Sequence, residues 1–332
     1  MAQAEILVTG AGGFIGGHLV AALRRSRPGA IRAVDLKPPE SWYQRFADVD
    51  NRQLDLRLRP HCTEAAEGVE AIYQLAADMG GMGYIENHKA ACMLNVLINT
   101  HMLVAAQERG ARRFFYASSA CVYNADKQRG GEVTPLREDD AYPAMPEDGY
   151  GWEKLFSERM CRHFSEDFGL QIRIARLHNV YGPFGTWDGG REKAPAAICR
   201  KVAAAVASGD HHIEIWGDGR QRRSFMYIDD CTEGIQRIMA SDVDVPLNLG
   251  SSETVTIDGL VDVVQEIAGI RLRRSYRLDA PTGVNGRSSD NTMILERLGW
   301  HPSIPLGDGI NKTYAWIYDQ YLAREKRLPH QV

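Results

Sequence analysis

The chain has 332 residues, 44% of them hydrophobic and 25% charged, which is the composition of a globular protein with a large buried core. Its 39 Lys and Arg residues against 43 Asp and Glu give a formal net charge of −4, which excludes the basic surface typical of proteins that bind nucleic acid or anionic membranes. No apolar run approaches the length of about 20 residues that a membrane span needs, and the N-terminus shows no signal-peptide pattern. We therefore expect a cytoplasmic protein.

The six cysteines lie far apart and form no C-x-x-C pair. This spacing argues against both a zinc site and a disulfide framework. We therefore expect no metal, and most of the cysteines are predicted to be small buried side chains: Cys62, Cys92, Cys121, Cys161, Cys199 and Cys231.

Strand-like and helical segments alternate through the first half of the chain. A short apolar run before a glycine predicts a buried parallel strand over Ile6–Thr9, and apolar residues at helical spacing predict a helix over residues 14–25. The further predicted elements are strands 30–35 and 71–75, helix 89–109, strand 114–117, helix 153–168 and strand 171–177. Strands that alternate with helices predict an α/β fold with a Rossmann-type, doubly wound parallel sheet.

The character of the sequence changes after Val180. Residues 181–194 are rich in glycine, aromatic and charged residues, which is typical of a binding loop. A predicted helix over residues 195–208 and a predicted strand over residues 213–216 follow. We therefore divide the chain into a Rossmann domain, residues 1–178, and a smaller C-terminal α/β part, residues 179–332. The second part is expected to bind substrate, with some of its segments returning to the main domain.

A glycine-rich turn joins the first predicted strand to the first predicted helix. Gly10, Gly13 and Gly16 have the spacing that permits a tight turn, close backbone approach to a pyrophosphate, and close packing of helix on strand. The first turn of the helix, which contains Phe14 and Ile15, would present backbone amides to the phosphates. The order of strand, turn and helix near the N-terminus predicts a dinucleotide site.

Asp35 ends the second predicted strand, where an acidic side chain binds the adenosine ribose and repels a 2′-phosphate. The sequence therefore predicts NAD rather than NADP as the cofactor, although the basic neighbours Arg32 and Lys37 leave NADP open. Asp55 and Leu56 end another short segment and are predicted to flank the adenine. The remaining predicted cofactor contacts are Leu75, Ala76, Ala77, Tyr150 and Lys154.

Tyr150 and Lys154 lie four residues apart at the start of a predicted helix, so their side chains share one helix face. A nearby ammonium group lowers the pKa of a tyrosine, which would let the phenolate act as a general base near neutral pH. Ser119 follows a predicted strand and would form a hydrogen bond with the reacting oxygen. With the dinucleotide turn upstream, these residues predict removal of a hydride from a carbon that bears a hydroxyl group.

These residues resemble the extended short-chain dehydrogenase/reductases, chiefly the nucleotide-sugar epimerases and dehydratases. The resemblance covers nearly the whole chain and is closest, on longer strings, to the members that epimerise GDP-mannose at C3 and C5. Those strings are residues 76–83, 118–123, 178–187, 189–195, 216–219 and 287–291, which read AADMGGMG, SSACVY, HNVYGPFGTW, GGREKAP, WGDG and RSSDN.

The resemblance implies an epimerase with tightly bound NAD. Tyr150 would take the proton of the C4 hydroxyl while the C4 hydride leaves to NAD, and the resulting 4-ketone would acidify the protons at C3 and C5. Cys121 and Lys193 would be the acid/base groups on the two faces of the ring, and the hydride would return to C4. A thiol, with an ordinary pKa of about 8.5, can serve near neutrality, whereas an amine needs burial or a cationic neighbour such as Arg191.

The resemblance also implies which residues bind the GDP-sugar. Arg287 would pair with the diphosphate, since a guanidinium matches two phosphate oxygens, and Asn179 and Lys201 would contact the diphosphate or the sugar. One glycine-rich loop would let the backbone approach the hexose closely, and a second would lie beside the nucleobase. The whole implied set is Met79, Gly80, Gly81, Met82, Gly83, Ser119, Cys121, Asn179, Glu192, Lys193, Ala194, Lys201, Gly217, Asp218, Gly219 and Arg287.

Two other interpretations stay open. A related 4-epimerase or 4,6-dehydratase, acting on another GDP- or NDP-sugar, would use the same tyrosine and lysine. Common dehydratases carry an acidic pair after their active-site Ser or Thr, whereas this chain has Ala120 and Cys121 there. A non-catalytic NAD-binding regulatory protein would need no intact catalytic set.

Relatives commonly pair two helices per subunit, so helices 89–109 and 153–168 are expected to form the interface of a homodimer.

Overall fold

The computed structural model describes residues 4–128, 133–280 and 284–326. In these residues the strands are β1 (Ile6–Thr9), β2 (Ile31–Asp35), β3 (Asp50–Gln53), β4 (Ala71–Gln74), β5 (Arg113–Ser119), β6 (Gln171–Leu177), β7 (Val180–Tyr181), β8 (His212–Trp216), β9 (Arg222–Ser224), β10 (Met226–Tyr227), β11 (Leu247–Leu249), β12 (Thr254–Thr256), β13 (Arg273–Arg277) and β14 (Gly286–Arg287). The helices are α1 (Phe14–Ser26), α2 (Arg59–Ala65), α3 (Met82–Asn87), α4 (Lys89–Met93), α5 (Asn95–Glu108), α6 (Tyr150–Phe168), α7 (Ala194–Ser208), α8 (Ile228–Ala240), α9 (Ile257–Ile267), α10 (Thr292–Leu298) and α11 (Leu306–Glu325).

Seven of these strands form one parallel sheet, in the order β3-β2-β1-β4-β5-β6-β11. The strand order reverses between β1 and β4, which gives the sheet the switch point of a doubly wound fold. The carboxyl ends of the strands meet at a crevice there, where such folds bind their ligands. The predicted Rossmann-type α/β fold is confirmed, and the strand predicted over residues 171–177 coincides with β6.

Apolar side chains of the central strands point alternately to the two faces of the sheet, and helices cover both faces. On one face Leu7 and Phe114 are fully buried in a cluster with Met102 and Leu103 of α5. On the other face Val8 belongs to a larger cluster that includes residues of α1 and α8. Burial on both faces explains why these strands are continuous apolar runs.

The long helix predicted over residues 89–109 is divided at Leu94 into α4 and α5. By length and composition alone, the stretch Lys89–Glu108 could cross a membrane, although it contains no continuous apolar run of that length. Polar residues such as Asn95 interrupt the apolar ones and hide the stretch in a search for continuous apolar runs. In the fold, α5 packs against β4, α2 and α6, as a core helix of an α/β sheet does.

Smaller sheets build the C-terminal part of the fold. β8 pairs with β13, β9 lies between β12 and β14, and α7 packs against α9 and α11. The predicted helix and strand of this part correspond to α7 and β8, each of which begins one residue earlier than predicted. The division at residues 178/179 remains a prediction, and the outer ends of the two predicted parts, residues 1–3 and 327–332, lie outside the described residues. β11 follows that division in sequence and pairs with β6 at the edge of the main sheet.

A buried ion pair joins β6 to α6. Arg176 donates hydrogen bonds to both carboxylate oxygens of Glu158, at 3.0 and 2.8 Å. The hydroxyl of Ser118, on β5, donates to the same carboxylate, and all three side chains are buried. Two charges taken out of water in this way are tolerated because each satisfies the other.

Replacing Arg176 by Met removes the cation and leaves the Glu158 carboxylate buried without it. We expect Arg176→Met to lower the free energy of unfolding by about 3–5 kcal/mol, the usual cost of breaking a buried pair. Urea unfolding followed by circular dichroism measures this change. The matched control is Arg162→Met, which removes the cation of an exposed pair with Glu166 and should leave stability nearly unchanged. Similar stabilities for the two variants would contradict the importance of the buried pair.

Candidate active site

The glycine-rich turn after β1 lies against the loop after β4. Gly10 has a φ of +67°, and a Cβ there would meet the backbone nitrogen of Ala76 at 3.0 Å. A Cβ at Gly16 would lie 2.1 Å from the carbonyl oxygen of Gly10, so α1 packs directly on the turn. The amides of Leu75 and Ala76 donate to the hydroxyl of Thr9 at 3.0 and 3.1 Å, which fixes the loop after β4. Because backbone atoms lie so close to Gly10 and Gly16, only glycine fits at these two positions.

The N-terminus of α1 offers a place for a phosphate group. Gly13 is the residue before the helix, and among the described residues no side chain caps the helix and no acidic residue lies in its first turn. Phe14 and Ile15 belong to that turn, whose amides a helix leaves without intrahelical partners. Uncapped amides at the positive end of the helix dipole are suited to a pyrophosphate.

Asp35 lies beside this turn at the end of β2. Its carboxylate accepts hydrogen bonds from the backbone N–H of Gly12 at 3.0 Å and of Lys37 at 2.9 Å, which leaves lone pairs for ribose hydroxyls. Arg32, in contrast, is buried and pairs with Asp50 at 3.0 Å, so it is occupied within the fold. The glycine turn, the uncapped helix and the acidic residue together fit NAD.

The other predicted cofactor contacts have partners or packing of their own. Asp55 forms an ion pair with Arg57 at 2.6 Å, and Leu56 is buried in the core cluster that α5 shares. Ala76 and Ala77 follow β4 next to the glycine turn. Their part in cofactor binding stays a prediction.

The end of β5 and the start of α6 bring three of the predicted catalytic residues together. Ser119 ends β5, and its hydroxyl accepts a hydrogen bond at 3.2 Å from the N–H of Cys121, which lies in the short 3₁₀ helix Ala120–Val122. Tyr150 is the first residue of α6. A Cβ on the next residue, Gly151, would lie 2.3 Å from the carbonyl oxygen of Cys121, so only glycine allows α6 to approach this closely.

Lys154 is buried one helical turn after Tyr150. Its ammonium group donates to the carbonyl oxygen of Ala117 at 3.0 Å and lies 4.8 Å from the ring centre of Tyr116 and 5.5 Å from that of Tyr150. Burial lowers the pKa of Lys154. Burial also raises the pKa of Tyr150 well above its ordinary value, and a hydrogen bond with Ser119 opposes the rise. Burial therefore opposes the lowering of the phenol pKa that was expected from Lys154, and the part of Tyr150 as a general base stays a prediction.

Cys121 lies beside a buried ion pair that the sequence did not reveal. Arg287 pairs with Glu147, donates to the side-chain oxygen of Gln128 at 2.8 Å, and approaches the sulfur of Cys121 at 3.9 Å. Burial, together with the Glu147 carboxylate, raises the pKa of the Cys121 thiol to about 12. The pairing of Arg287 with a diphosphate stays a prediction, and in the structure its guanidinium lies at Cys121.

Lys193 comes from the C-terminal part, as the residue immediately before α7. It lines the same cavity as Cys121 and Tyr150. Burial lowers the pKa of Lys193, so its ammonium group gives up a proton more readily than usual. Four of the five predicted catalytic residues thus line one cavity: Ser119, Cys121, Tyr150 and Lys193. The fifth, Lys154, does not line it and is buried one helical turn after Tyr150.

The cavity has a volume of about 530 Å³ and lies between the strand ends and the C-terminal part. Most of the implied substrate residues line it: Met79, Gly80, Gly81, Met82, Gly83, Ser119, Cys121, Asn179, Glu192, Lys193, Ala194, Lys201 and Arg287. Gly217, Asp218 and Gly219 do not line it, although Trp216 directly before them does. They form a turn in which the carbonyl oxygen of Gly219 accepts a hydrogen bond from the N–H of Asp258 at 3.0 Å, and their contact with a nucleobase stays a prediction.

The sequence analysis assigned no catalytic role to three further residues at or near this cavity. Arg223 lines it, although the sequence assigned that residue no role. His178 also lines it, with its Nε2 at 3.0 Å from the Oδ1 of Asn248, and burial lowers the pKa of its imidazole to about 4. Glu147 carries no local signal because its partner Arg287 lies 140 positions further along the chain. His178 lies within a string that carries the family resemblance, whereas Glu147 lies outside all of those strings.

Replacing Asp35 by Ser removes the carboxylate beside the glycine turn. We expect Asp35→Ser to weaken NAD binding about tenfold and to weaken NADP binding less, because a ribose partner is lost while repulsion of a 2′-phosphate is relieved. Calorimetric titration with each nucleotide measures the two affinities. Glu40→Ser removes an exposed acid close by in sequence and is the control for the change of charge. An unchanged ratio of the two affinities in Asp35→Ser would show that Asp35 does not select the cofactor.

The chain is similar to known proteins along most of its length. A family model described as NAD dependent epimerase/dehydratase family matches residues 6–250. Over 323 residues the chain is 46% identical to GDP-mannose 3,5-epimerase 1 of Oryza sativa subsp. japonica, with 97% of this chain and 83% of that protein covered. It is 45% identical to GDP-mannose 3,5-epimerase of Arabidopsis thaliana, with 97% and 84% covered.

Solved structures share the fold. UDP-glucuronic acid 4-epimerase from Bacillus cereus, in complex with UDP-glucuronic acid and NAD, matches with a TM-score of 0.79 and 25% identity over 95% of this chain and 99% of that chain. UDP-glucose 4-epimerase from Thermotoga maritima matches with a TM-score of 0.84 and 23% identity over 95% and 99%, which is a likeness of fold. The family match, the close relatives and the glycine turn with its acidic partner show that the chain belongs to the NAD dependent epimerase/dehydratase family.

Proposed function

We propose that this protein epimerises GDP-mannose at C3 and C5, giving GDP-L-galactose and GDP-L-gulose, with NAD as a tightly bound cofactor. The observation that carries the proposal is a single cavity that combines a tyrosine and a serine, suited to a hydroxyl group, with a thiol and an amine, suited to acidic C–H bonds. An enzyme that only moves a hydride at C4 needs no such second pair. The rice and Arabidopsis relatives, 46% and 45% identical, carry this activity in their names.

The residues that would hold NAD are the glycines of the turn for the pyrophosphate, Asp35 for the adenosine ribose and Lys154 for the nicotinamide ribose. When bound, NAD would supply a reversible acceptor for the hydride at C4 of the sugar, and its nicotinamide would carry a positive charge. The protein supplies binding, orientation and all of the proton chemistry.

Tyr150 and Ser119 act on the C4 hydroxyl. Ser119 would orient that hydroxyl by a hydrogen bond, and Tyr150 would take its proton and return it at the end of the cycle. Burial keeps the phenol protonated in the protein alone, so positive charge near the ring is what favours its ionised form. Lys154, fixed on the carbonyl oxygen of Ala117, supplies part of that charge.

Cys121 and Lys193 act on the carbons next to C4. Once C4 is a ketone, the C–H bonds at C3 and C5 are acidic, and inversion requires removal of a proton from one face and delivery to the other. Burial raises the pKa of the Cys121 thiol and lowers that of the Lys193 amine, so both shifts favour a protonated sulfur and a neutral nitrogen. One of the two groups can then carry a proton while the other is free to accept one.

Incubation with GDP-mannose in D₂O, followed by NMR, tests this function. We expect the wild-type protein to incorporate deuterium at both C3 and C5. Lys193→Arg keeps a positive charge that cannot be released as a proton near neutral pH, and Cys121→Ser lacks the thiol. Each variant should lose deuterium incorporation by a factor of about 100 or more while still oxidising C4, which is measured as absorbance of the reduced cofactor.

The same experiment separates the competing functions. A wild-type protein that incorporates no deuterium at C3 or C5 would exclude the proposal. Inversion at C4 alone would identify a 4-epimerase, and a stable 4-keto product formed with loss of water would identify a 4,6-dehydratase. Binding of NAD with no turnover of any nucleotide sugar would identify a non-catalytic NAD-binding protein.

We also propose that the protein is a homodimer located in the cytoplasm. α5 and α6 pack side by side, and each has exposed apolar side chains. On α5, Leu97 is 39% exposed, and on α6, Trp152 and Phe156 are 42% and 54% exposed. An apolar face of this kind marks an interaction site, and a twofold axis would place the same face against itself. All six cysteines are free and buried, which suits a reducing compartment.

Phe156→Glu places a charge in the middle of this face. We expect the variant to be monomeric at concentrations where the wild-type protein is dimeric, because a buried charge without a partner opposes association. Light scattering after gel filtration measures the mass. Leu278→Glu changes an exposed leucine of the C-terminal part, 74% exposed, and should remain dimeric. A monomeric wild-type protein, or a dimeric Phe156→Glu, would contradict the proposed interface.

A further inference from the structure

His178, the residue after β6, carries a buried imidazole whose orientation is fixed by its neighbours. Its Nε2 lies 3.0 Å from the Oδ1 of Asn248. A Cβ on Gly250 would lie 2.7 Å from Cγ and 3.0 Å from Cδ2 of the imidazole, so that edge of the ring packs against the chain at Gly250. His178 is only 2% exposed, yet it lines the cavity. The edge of the ring that carries Nδ1 is therefore the one left to face the cavity.

The hydrogen bonds of Asn248 show which nitrogen of His178 carries the proton. The Nδ2 of Asn248 donates to the carbonyl oxygens of Leu136 at 2.7 Å and Asp290 at 3.1 Å, which fixes the amide with its Oδ1 toward the imidazole. An amide oxygen only accepts, so the Nε2 of His178 must donate. Burial lowers the pKa of the imidazole to about 4, so near neutral pH the ring carries this one proton. Nδ1 is then a hydrogen-bond acceptor.

This acceptor has no partner within the protein. The Nδ1 of His178 is buried and forms no hydrogen bond with any residue that the structure describes. A buried polar atom without a partner costs free energy, and at the edge of a binding cavity a bound molecule can supply the missing donor. The ligand of this cavity is therefore expected to present an O–H or N–H group to His178.

The position of His178 favours the hexose as the source of that donor. The guanidinium of Arg287 is close enough to His178 to lower the pKa of the imidazole, and it also approaches the sulfur of Cys121 at 3.9 Å. His178 thus lies at the end of the cavity where the thiol would act on the sugar. β6 is three strands away from β1, after which the glycine turn for the pyrophosphate of NAD lies. A hexose carries several hydroxyl groups, each of which can donate a hydrogen bond.

We propose that His178 binds the hexose of the substrate, and that its Nδ1 accepts a hydrogen bond from a sugar hydroxyl other than the one at C4. The inference rests on the proposed function, which names the sugar nucleotide and assigns the C4 hydroxyl to Ser119 and Tyr150. The proton of the imidazole is engaged with Asn248. His178 can therefore hold a hydroxyl without offering a second acid that would compete with Cys121 and Lys193 for the carbons next to C4.

Two substitutions separate the two contacts of the imidazole. In asparagine the amide oxygen takes the place of Nδ1, because both atoms are bonded to Cγ, whereas glutamine carries its amide nitrogen where Nε2 lies. His178→Asn therefore keeps an acceptor at the cavity, and His178→Gln keeps the donor to Asn248.

Calorimetric titration of the NAD-loaded protein with GDP-mannose tests the proposal. We expect His178→Gln to weaken binding about tenfold, which corresponds to the loss of one hydrogen bond, and His178→Asn to weaken binding about threefold at most. GDP lacks the hexose and should bind to the wild-type protein and both variants with the same affinity. His163→Gln is the matched control, because His163 is exposed on α6 and pairs with Glu166, and it should change neither affinity.

Analogues of GDP-mannose that lack the hydroxyl at C2, C3 or C6 identify the group that His178 binds. Removal of the partner hydroxyl should weaken binding to the wild-type protein about tenfold and should not weaken binding to His178→Gln any further, because the hydrogen bond is already lost there. If all three analogues weaken binding to His178→Gln as much as to the wild-type protein, the proposed contact is refuted.

Four other results would overturn the inference. Unchanged affinity of His178→Gln for GDP-mannose would show that the acceptor is not used. A loss in His178→Asn alone would assign His178 a structural role through Asn248. An equal loss for GDP would place the contact at the nucleotide, and weaker binding of NAD to His178→Gln would place it at the cofactor. The proposed function fails separately, if the wild-type protein exchanges no deuterium at C3 or C5. Loss of affinity for GDP-mannose but not for GDP in His178→Gln would then still support the contact with the hexose.

Discussion

The contact between the first turn of α6 and the 3₁₀ helix after β5 is the constraint on which the site depends. Gly151 lies against the carbonyl oxygen of Cys121, where a Cβ would be only 2.3 Å away, and the N–H of Glu147 donates to the same oxygen at 3.0 Å. One carbonyl group therefore sets the separation between Tyr150 on the helix and the thiol after the strand. Glycine inside a helix costs about 1 kcal/mol relative to alanine, and here close approach requires it.

Exclusion of water from this contact explains the ionisation of the groups around it. Burial raises the pKa values of Tyr150 and Cys121 and lowers those of Lys154 and Lys193, so every one of these groups is pushed toward its neutral form. The pair of Arg287 and Glu147 is different, because two opposite charges buried together satisfy each other. It brings fixed charges of both signs to the thiol without leaving a net charge in the core. Proton transfer between neighbouring groups can then proceed within a low-dielectric region where such interactions are strong.

Much of the fold and part of the site could be predicted from the sequence because their determinants are local. The apolar run of β1, the spacing of three glycines, and the four-residue separation of Tyr150 and Lys154 each lie within a short segment. The pairing of Arg287 with Glu147 joins residues 140 positions apart, and no local pattern indicates it. The pKa of Tyr150 was also beyond sequence reasoning, because an ammonium four residues away is visible in the sequence whereas burial of the ring is set by tertiary packing.

Two loops from different parts of the chain meet beside Lys193. The N–H of Gly81, after β4, donates to the carbonyl oxygen of Arg191 at 3.0 Å, and the guanidinium of Arg191 pairs with Asp78 at 2.8 Å. The side chains of this ion pair are about half exposed, so the pair contributes little to stability. The backbone hydrogen bond is therefore what fixes the loop that carries Lys193. The distance between Lys193 and Cys121 across the cavity is therefore set by the junction of the two parts. In the proposed reaction, oxidation at C4 would use groups of the predicted main domain, whereas inversion of a neighbouring carbon would also need Lys193 of the predicted C-terminal part.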